Sequence, residues 1–484
     1  SYLDTQSSCI WHSWLPTPTF LLKSSIMAPL NRIIIDTDPG VDDVLALLLA
    51  LAAKPEEIEI LLLSVTYGNV QVQSCLRNVV ALFHVIEKEL EWRRARGQLE
   101  GFEAMKSSKP IVAVGAEHPL DDELLMADYF HGIDGLAGVH TSHPHLSPAD
   151  TWKTLFQPPP ANASAAETEA ARELATSVES FRPSQVAAHE EILRLLKENP
   201  RDTITIIAIG PLTNLALAAA EDPETFLRVK EVVVMGGAID VEGNVTPVAE
   251  FNTYADAVAT ARVFALTSPN PSTTLPPVPS KLSTMGPYPK NLSRKLNLTL
   301  FPLDITSPHL LYRTEFQTKL DPLVEAGSPL AQWTSVFVNK TFEKVESLTR
   351  KQRNPGLELH DPLCVWYVLT RSSPAWMQAP KAPEDIRVET AGQWTRGMHV
   401  VDRRNRKKGG IVEQVKSPGA VDITNPMESL SIVSDVDTED VAEGDAPGDN
   451  GSWLDPKKGN RITRIVGTPG EELFGTYLLE RVFG

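Results

Sequence analysis

Cysteine is scarce: the chain of 484 residues has three, Cys9, Cys75 and Cys364, far apart in the sequence. They cannot form a disulfide framework, and no Cys-x-x-Cys pair or Cys/His cluster offers a structural zinc site. A reducing compartment, the cytoplasm, is the expected setting. Long apolar runs are missing too. The longest, about Val44–Ala53, falls far short of the ~20 residues that a bilayer-crossing helix needs, so a soluble protein is expected. Positive charge is in deficit, with 45 Lys and Arg against 62 Asp and Glu and a net charge of −17. Without a basic surface to steer polyanions, neither nucleic acid nor an anionic membrane is expected as a partner. Hydrophobic residues at 42% and charged residues at 22% are ordinary for a globular protein, which excludes collagen, coiled-coil and wholly disordered classes. Residues 1–26 lack the order of a signal peptide, and Met27 stands just before the first convincing strand. We expect Met27 to be the natural start, with 1–26 a disordered or foreign extension.

Proline, by contrast, is abundant at 38 residues, and it is clustered. Four segments stand out as loops or partly disordered excursions: Glu87–Pro110, His143–Pro183, Thr267–Lys295 and Arg403–Gly459. Being rich in proline, serine and charge, they should add little to the core. Between them, short β-branched runs alternate with helix-period segments. Strands are predicted at Arg32–Asp36, Glu59–Thr66, Ile111–Val114, Thr203–Ile209 and Glu231–Met235, with helices at Asp42–Ala53, Ser74–Glu87, Ser184–Glu198, Leu212–Ala220 and Tyr254–Ala265. Strands so uniformly apolar are buried on both faces. The expected fold is α/β, an open, mostly parallel sheet with helices on both faces, forming one domain over 27–484. In such sheets ligands bind at the carboxyl ends of the strands.

The first of those ends reads Asp36-Thr37-Asp38-Pro39-Gly40-Val41-Asp42-Asp43, four carboxylates in eight residues at a strand-to-helix turn. Asp42 and Asp43 could simply cap the next helix, where the dipole favours anions. That leaves Asp36 and Asp38 unexplained. A bound hard cation accounts for all four, whether calcium with six to eight oxygen ligands or magnesium with six. Two further strand ends, Thr66-Tyr67-Gly68-Asn69 and Ile209-Gly210-Pro211-Leu212-Thr213-Asn214, are each more often a turn than a site. Met235-Gly236-Gly237, followed by Gly243-Asn244 and Ala249-Glu250-Phe251-Asn252, says more. It puts an acid and two amides in one glycine-rich loop, a set able to hydrogen-bond several hydroxyls of a sugar. His360-Asp361-Pro362 then precedes an apolar helix; a lone histidine there is usually structural, but beside an acid it reads equally well as ligand plus proton donor.

The motifs DTDPGVDD, TYGN, FHGIDG, IGPLTN, VVMGG, EGNVTPVAEFN, LHDPL and TRGMHVVD occur in this order over about Arg32–Asp402. The set resembles the inosine-uridine preferring nucleoside hydrolases, and EELFGTYLLERVFG is similar to that family's last helix. The resemblance implies an open α/β fold with one Ca²⁺ in the active site, held by Asp38, Asp43, Asp361 and the backbone carbonyl of Ile209. Threonine is frequent at this last position, but a carbonyl ligand does not depend on the side chain. By the same resemblance Asp42, Asn69, Glu250 and Asn252 bind ribose with Asn244 and Met235 nearby, Asp36 supports the site, and His131 stands above the base. Asp38 is then the general base toward a water on the cation, and His360 the acid that assists the leaving base. Homodimers or homotetramers and nucleosides are the implied partners. Histidine at 360, where purine-selective relatives have an aromatic residue, implies cleavage of purine and pyrimidine ribosides alike. The helix Val336–Thr349 should line the base pocket with Phe337 and Phe342.

The chemistry agrees with this assignment. Breaking an N-glycosidic bond leaves an oxocarbenium-like ribosyl centre, which carboxylates stabilise. Calcium lowers the pKa of water less than zinc would, so a base is needed, and histidine suits proton donation near neutrality. Two rival classes are set against it. An Asp-x-Asp after the first strand also opens haloacid-dehalogenase-type phosphatases, but Pro39-Gly40 and Asp42-Asp43 replace their usual continuation and no phosphate-binding lysine is evident. A nucleoside-binding protein without turnover would not need a proton donor at His360.

Overall fold

The computed structural model describes residues 30–277, 285–348, 356–404 and 448–484. The extension 1–26 and Met27 lie outside the described residues. The strands in chain order are β1 (Asn31–Thr37), β2 (Ile58–Val65), β3 (Ile111–Val114), β4 (Arg182–Pro183), β5 (Ile204–Ala208), β6 (Glu231–Met235), β7 (Leu298–Phe301), β8 (Leu310–Tyr312), β9 (Gly356–Glu358), β10 (Met377–Gln378), β11 (Ile386–Val388), β12 (His399–Val401) and β13 (Thr463–Gly467). Nine of them form one sheet in the order β10-β13-β7-β6-β5-β1-β2-β3-β4. All neighbours are parallel except β10 with β13. The open, mostly parallel α/β sheet that the sequence predicts is therefore the fold.

Successive side chains of a strand point to opposite faces, and here both faces are apolar. Ile33, Ile35, Leu63, Val65, Ile207 and Val233 join one core. Ile34, Leu62, Ile111, Ile206, Val232 and Val234 join the other. Helices Val41–Leu51, Val72–Ala95, Pro329–Leu348, His360–Thr370 and Glu471–Phe483 cover the first face, and Ala188–Glu198, Thr213–Glu221 and Ala257–Ala265 cover the second. Because the strands run parallel, β1, β2, β5 and β6 deliver Asp38, Asn69, Ile209 and Met235 to one edge. Helix Val41–Leu51 packs against His360–Thr370. That contact brings the beginnings of the two helices, with Asp42, Asp43, His360 and Asp361, to the same edge. Among the described residues no helix is long and apolar enough to cross a membrane.

The four segments read as excursions are corrected in part: each carries buried anchors. Helix Val72–Ala95 extends into the first, as its helical bias suggests, and some of its charges are paired inside. Glu89 Oε1 accepts from Arg93 Nε at 2.8 Å, and Glu89 Oε2 accepts from Ser328 Oγ at 2.7 Å and Leu330 N at 3.1 Å, tying this helix to the start of Pro329–Leu348. In the second, helix Ala165–Ser177 buries nothing, yet Trp152, Phe156 and Phe181 are buried, and Phe181 stacks on Phe83 with ring centroids 4.8 Å apart. Met285 and Tyr288 anchor the third. In the fourth, Asp449 and Leu454 are buried and Arg387 lies over the Trp453 ring at 3.7 Å. Composition averaged over a segment hides single anchors. The predicted helix Tyr254–Ala265 also divides: Phe251–Ala255 is capped by Glu250, and Asp256 starts Ala257–Ala265 by accepting from Ala259 N at 2.9 Å.

Residues 405–447 lie outside the described residues, while Arg404 Nη2 stands 3.1 Å from Asp449 Oδ1 across that interval. Replacing 405–447 by a short Gly/Ser linker, with 448–459 retained, is expected to leave an active protein whose stability changes by no more than about 2 kcal/mol, since loop closure costs only about 0.6 kcal/mol per doubling of length. Thermal melts and activity check this. Loss of soluble protein would show that the interval belongs to the domain or to a subunit interface.

Candidate active site

A cavity of about 530 Å³ opens at the carboxyl edge of the sheet. Its polar side includes Asp42, Asn69, Glu250, Asn252, His360 and Asp361, together with Ile209 and Met235. Its apolar wall comes from Tyr129, Phe130, Phe251, Val345 and Leu348. Volume and lining suit one small, partly apolar ligand. Phe337 and Phe342 are not in it. Both are fully buried, against Trp333 and Phe316 respectively, and the same helix reaches the cavity one and two turns later through Val345 and Leu348.

Asp38 and Asp43 lie just outside the lining and are fully buried. Asp43 Oδ1 accepts from Thr37 Oγ1 at 2.6 Å and Asp38 N at 3.1 Å, and its Oδ2 accepts from Gly40 N at 3.1 Å and Asn69 Nδ2 at 2.9 Å. Asp38 Oδ2 accepts from Asn69 N at 2.7 Å. A Cβ on Gly68 would stand 2.0 Å from Asp38 Oδ2, and one on Gly210 2.5 Å from Asp38 Oδ1. The two strand-end glycines are thus there to let backbone close around this carboxylate. Asp36 stands further back, accepting from Ser64 Oγ and from Asn214 Nδ2 at 2.9 Å.

The acids crowd. Asp42, Asp43 and Asp361 each offer a carboxylate oxygen within 4.8 Å of the others. Burial pushes Asp38 and Asp361 well above the ordinary carboxylate range, and the neighbouring acids push them further. Burial and the Asp43 charge lift Asp42 to about 6, and burial lifts Asp36 to about 7 against its hydrogen bonds from Ser64 and Asn214. Asp38 Oδ1 and Asp36 Oδ2 are buried and have no hydrogen-bond partner among the described residues. Buried oxygen without a donor is costly, and carboxylates this close cannot all ionise unless positive charge joins them. With only oxygen donors in the cluster, a hard divalent cation fits.

In the loop after β6, Glu250 Oε1 accepts from Asn252 N at 2.7 Å, and its Oε2 from Gly237 N at 2.9 Å and Thr253 N at 3.0 Å. Burial raises its pKa against those three donors. Asn252 Nδ2 donates to the Ile209 carbonyl at 3.1 Å and lies 3.5 Å from Met235 Sδ. Asn244 is exposed, and its Oδ1 accepts from Phe251 N at 2.9 Å, ordering the loop. His131 Nδ1 accepts from Val41 N at 3.2 Å, which leaves the hydrogen on Nε2. Burial, with the charge of His360 second, lowers His131 to about 4. For His360 burial also pulls down, but the hydrogen bond and charge of Glu358, then Asp42 and Glu250, outweigh it and the imidazole stands above its ordinary value. The structure brings every site residue singled out in the sequence to this one edge. Glu358 and Thr306, which touch His360, were missed. No local pattern announces either contact, because β9 ends at Glu358 and His360 already begins a helix.

Fold and site define an α/β enzyme working at the carboxyl edge of a parallel sheet, over a carboxylate cluster. The profile of the inosine-uridine preferring nucleoside hydrolases matches residues 33–443. An uncharacterized protein of Schizosaccharomyces pombe is 29% identical over 373 residues, 77% of this chain and 89% of that protein. The pyrimidine-specific ribonucleoside hydrolase RihA of Salmonella paratyphi C is 27% identical over 399 residues, 81% of this chain and 96% of the relative. Among solved structures, the plant nucleoside hydrolase PpNRh1 matches with a TM-score of 0.57 at 22% identity, covering 94% of this chain and 100% of that one. A purine-preferring ribonucleoside hydrolase from Gardnerella vaginalis matches with 0.56 at 20%, covering 94% and 98%. These two likenesses support the fold. The chain belongs to the inosine-uridine preferring nucleoside hydrolase family and is a nucleoside hydrolase.

Proposed function

We propose that this protein cleaves the N-glycosidic bond of purine and pyrimidine ribonucleosides to free base and ribose, with Ca²⁺ in the site. Asp38, Asp43, Asp361 and the Ile209 carbonyl would hold the ion, and Asp42, whose carboxylate stands in the same cluster, would face the ribose beside it. When bound, such an ion supplies positive charge that makes water more acidic and anchors sugar hydroxyls. The observation that carries this reading is the buried, unpartnered Oδ1 of Asp38 beside the three clustered carboxylates.

Asp42, Asn69, Glu250 and Asn252 grip the ribose, with Asn244 and Met235 at its margin. Their carboxylates also lower the energy of the positive charge that develops at C1′. Asp38 takes the proton of the attacking water as its oxygen bonds to C1′. The electron pair of the breaking C1′–N bond goes to the base, and His360 Nε2 gives that base a proton. His131, Tyr129 and Phe130 flank the base in this reading. A homodimer or homotetramer in the cytoplasm belongs to the same proposal.

Release of free base and ribose from a panel of nucleosides, with and without a chelator, tests it. Inosine and uridine should both be cleaved, and chelation should abolish turnover. Elemental analysis of the purified protein is expected to give about one calcium per chain, as an all-oxygen donor set favours. Stoichiometric zinc, or no metal at all, would sink the assignment.

A further inference from the structure

His360 has both ring nitrogens engaged. Nδ1 lies 2.8 Å from Thr306 Oγ1, and Nε2 lies 2.8 Å from Glu358 Oε2. A hydroxyl can donate or accept, so Thr306 does not choose which nitrogen carries the hydrogen. An ionised carboxylate only accepts, so the contact with Glu358 requires the hydrogen on Nε2. Glu358 is well placed to hold it. It ends β9, which pairs with β8 so that Glu358 stands opposite Leu310, and the next amide, Leu359 N, donates to His309 O at 2.9 Å. The backbone under the carboxylate is therefore fixed by two successive contacts with the start of β8.

Exposure differs between the partners. The Glu358 side chain is 46% exposed and that of His360 16%, and both residues line the cavity. A carboxylate at the open side can turn toward water when another acceptor arrives, without becoming a buried orphan charge. The incoming acceptor is the leaving nitrogen of the base.

We propose that Glu358 is a positioning residue: it keeps the hydrogen on His360 Nε2 and the ring in the orientation from which the leaving base takes that hydrogen over. The inference rests on His360 being the leaving-group acid. Partners that orient metal-bound imidazoles commonly cost about 10–100-fold when removed; we take roughly that scale for Glu358, and the loss should appear only where protonation of the leaving group matters.

The test compares kcat and KM of wild type, Glu358→Ala, Glu358→Gln and His360→Ala on inosine, uridine and p-nitrophenyl riboside, whose leaving group departs unprotonated. Glu358→Ala should lower kcat on the nucleosides by roughly 10–10²-fold with KM within about threefold, and leave p-nitrophenyl riboside within about threefold. Glu358→Gln is isosteric and keeps an acceptor oxygen for Nε2–H. It should show the same substrate pattern with a smaller loss, and it serves if the alanine variant does not fold. Equal loss on all three substrates, or no loss on any, while His360→Ala still separates them, overturns the proposal and leaves the acid reading standing. If His360→Ala itself fails to separate the substrates, the acid reading falls and Glu358 with it.

Discussion

Asp38→Asn is expected to lower kcat for inosine and uridine by roughly 10²–10⁴, the usual worth of a positioned general base. Asp38 is fully buried, with Oδ2 committed to the Asn69 amide at 2.7 Å and Oδ1 unpartnered. An asparagine would turn its carbonyl oxygen toward the Asn69 N–H, which can only donate. Its NH₂ would then face the place where the wild type offers a bare oxygen. The substitution removes the base and sets a donor toward the carboxylate cluster, so metal content is measured alongside kcat at saturating calcium. A variant that binds calcium normally and turns over at near the wild-type rate would take Asp38 out of the mechanism.

His360→Ala is expected to reduce hydrolysis of natural nucleosides by roughly 10²-fold or more through loss of the leaving-group acid, and to spare p-nitrophenyl riboside. His360 is the cavity histidine held above its ordinary value: burial pulls it down, but Glu358 at 2.8 Å, then Asp42 and Glu250, outweigh that. The other histidine there, His131, is held well below neutrality by burial and accepts a backbone hydrogen bond through Nδ1, so it is poorly suited to replace the acid. The apolar wall of Phe130 and Leu348 makes no demand on the hydrogen-bonding pattern of one base. Wild type should therefore accept purine and pyrimidine ribosides. If the alanine variant loses kcat equally on natural nucleosides and on the activated riboside, His360 is holding the site together rather than donating a proton.

Most of the candidate active site could be read from the linear chain, for a reason particular to parallel sheets. Their strands end at one edge, so polar motifs following β1, β2, β5 and β6 must converge whatever the rest of the chain does. Asp38, Asn69, Ile209, Met235 and the loop to Asn252 follow from this alone, and the apolar strands announced a sheet buried on both faces. His360 and Asp361 do not follow a strand of that sheet. Their arrival depends on helix His360–Thr370 packing along Val41–Leu51, and here the motif resemblance supplied what periodicity could not.

What stayed out of reach depends on contacts between residues distant in sequence, or on which way a helix face turns. Phe337 and Phe342 lie on the pocket helix, but their faces meet Trp333 and Phe316, so the cavity wall falls to Val345 and Leu348. Glu89 and Arg93 look solvated in a run of charges, yet they are buried because Ser328, Leu330 and the Val482 carbonyl from far along the chain complete their hydrogen bonds. The amino-acid sequence alone determined the five central strands of the sheet, β6, β5, β1, β2 and β3, their two apolar faces and the carboxylates at their edge, since strand period and strand-end position are local properties. Tertiary structure alone decided the shape of the cavity, the burial of the charged pair and the grip of Glu358 and Thr306 on His360. Each of these needs a partner whose position only the packed fold specifies.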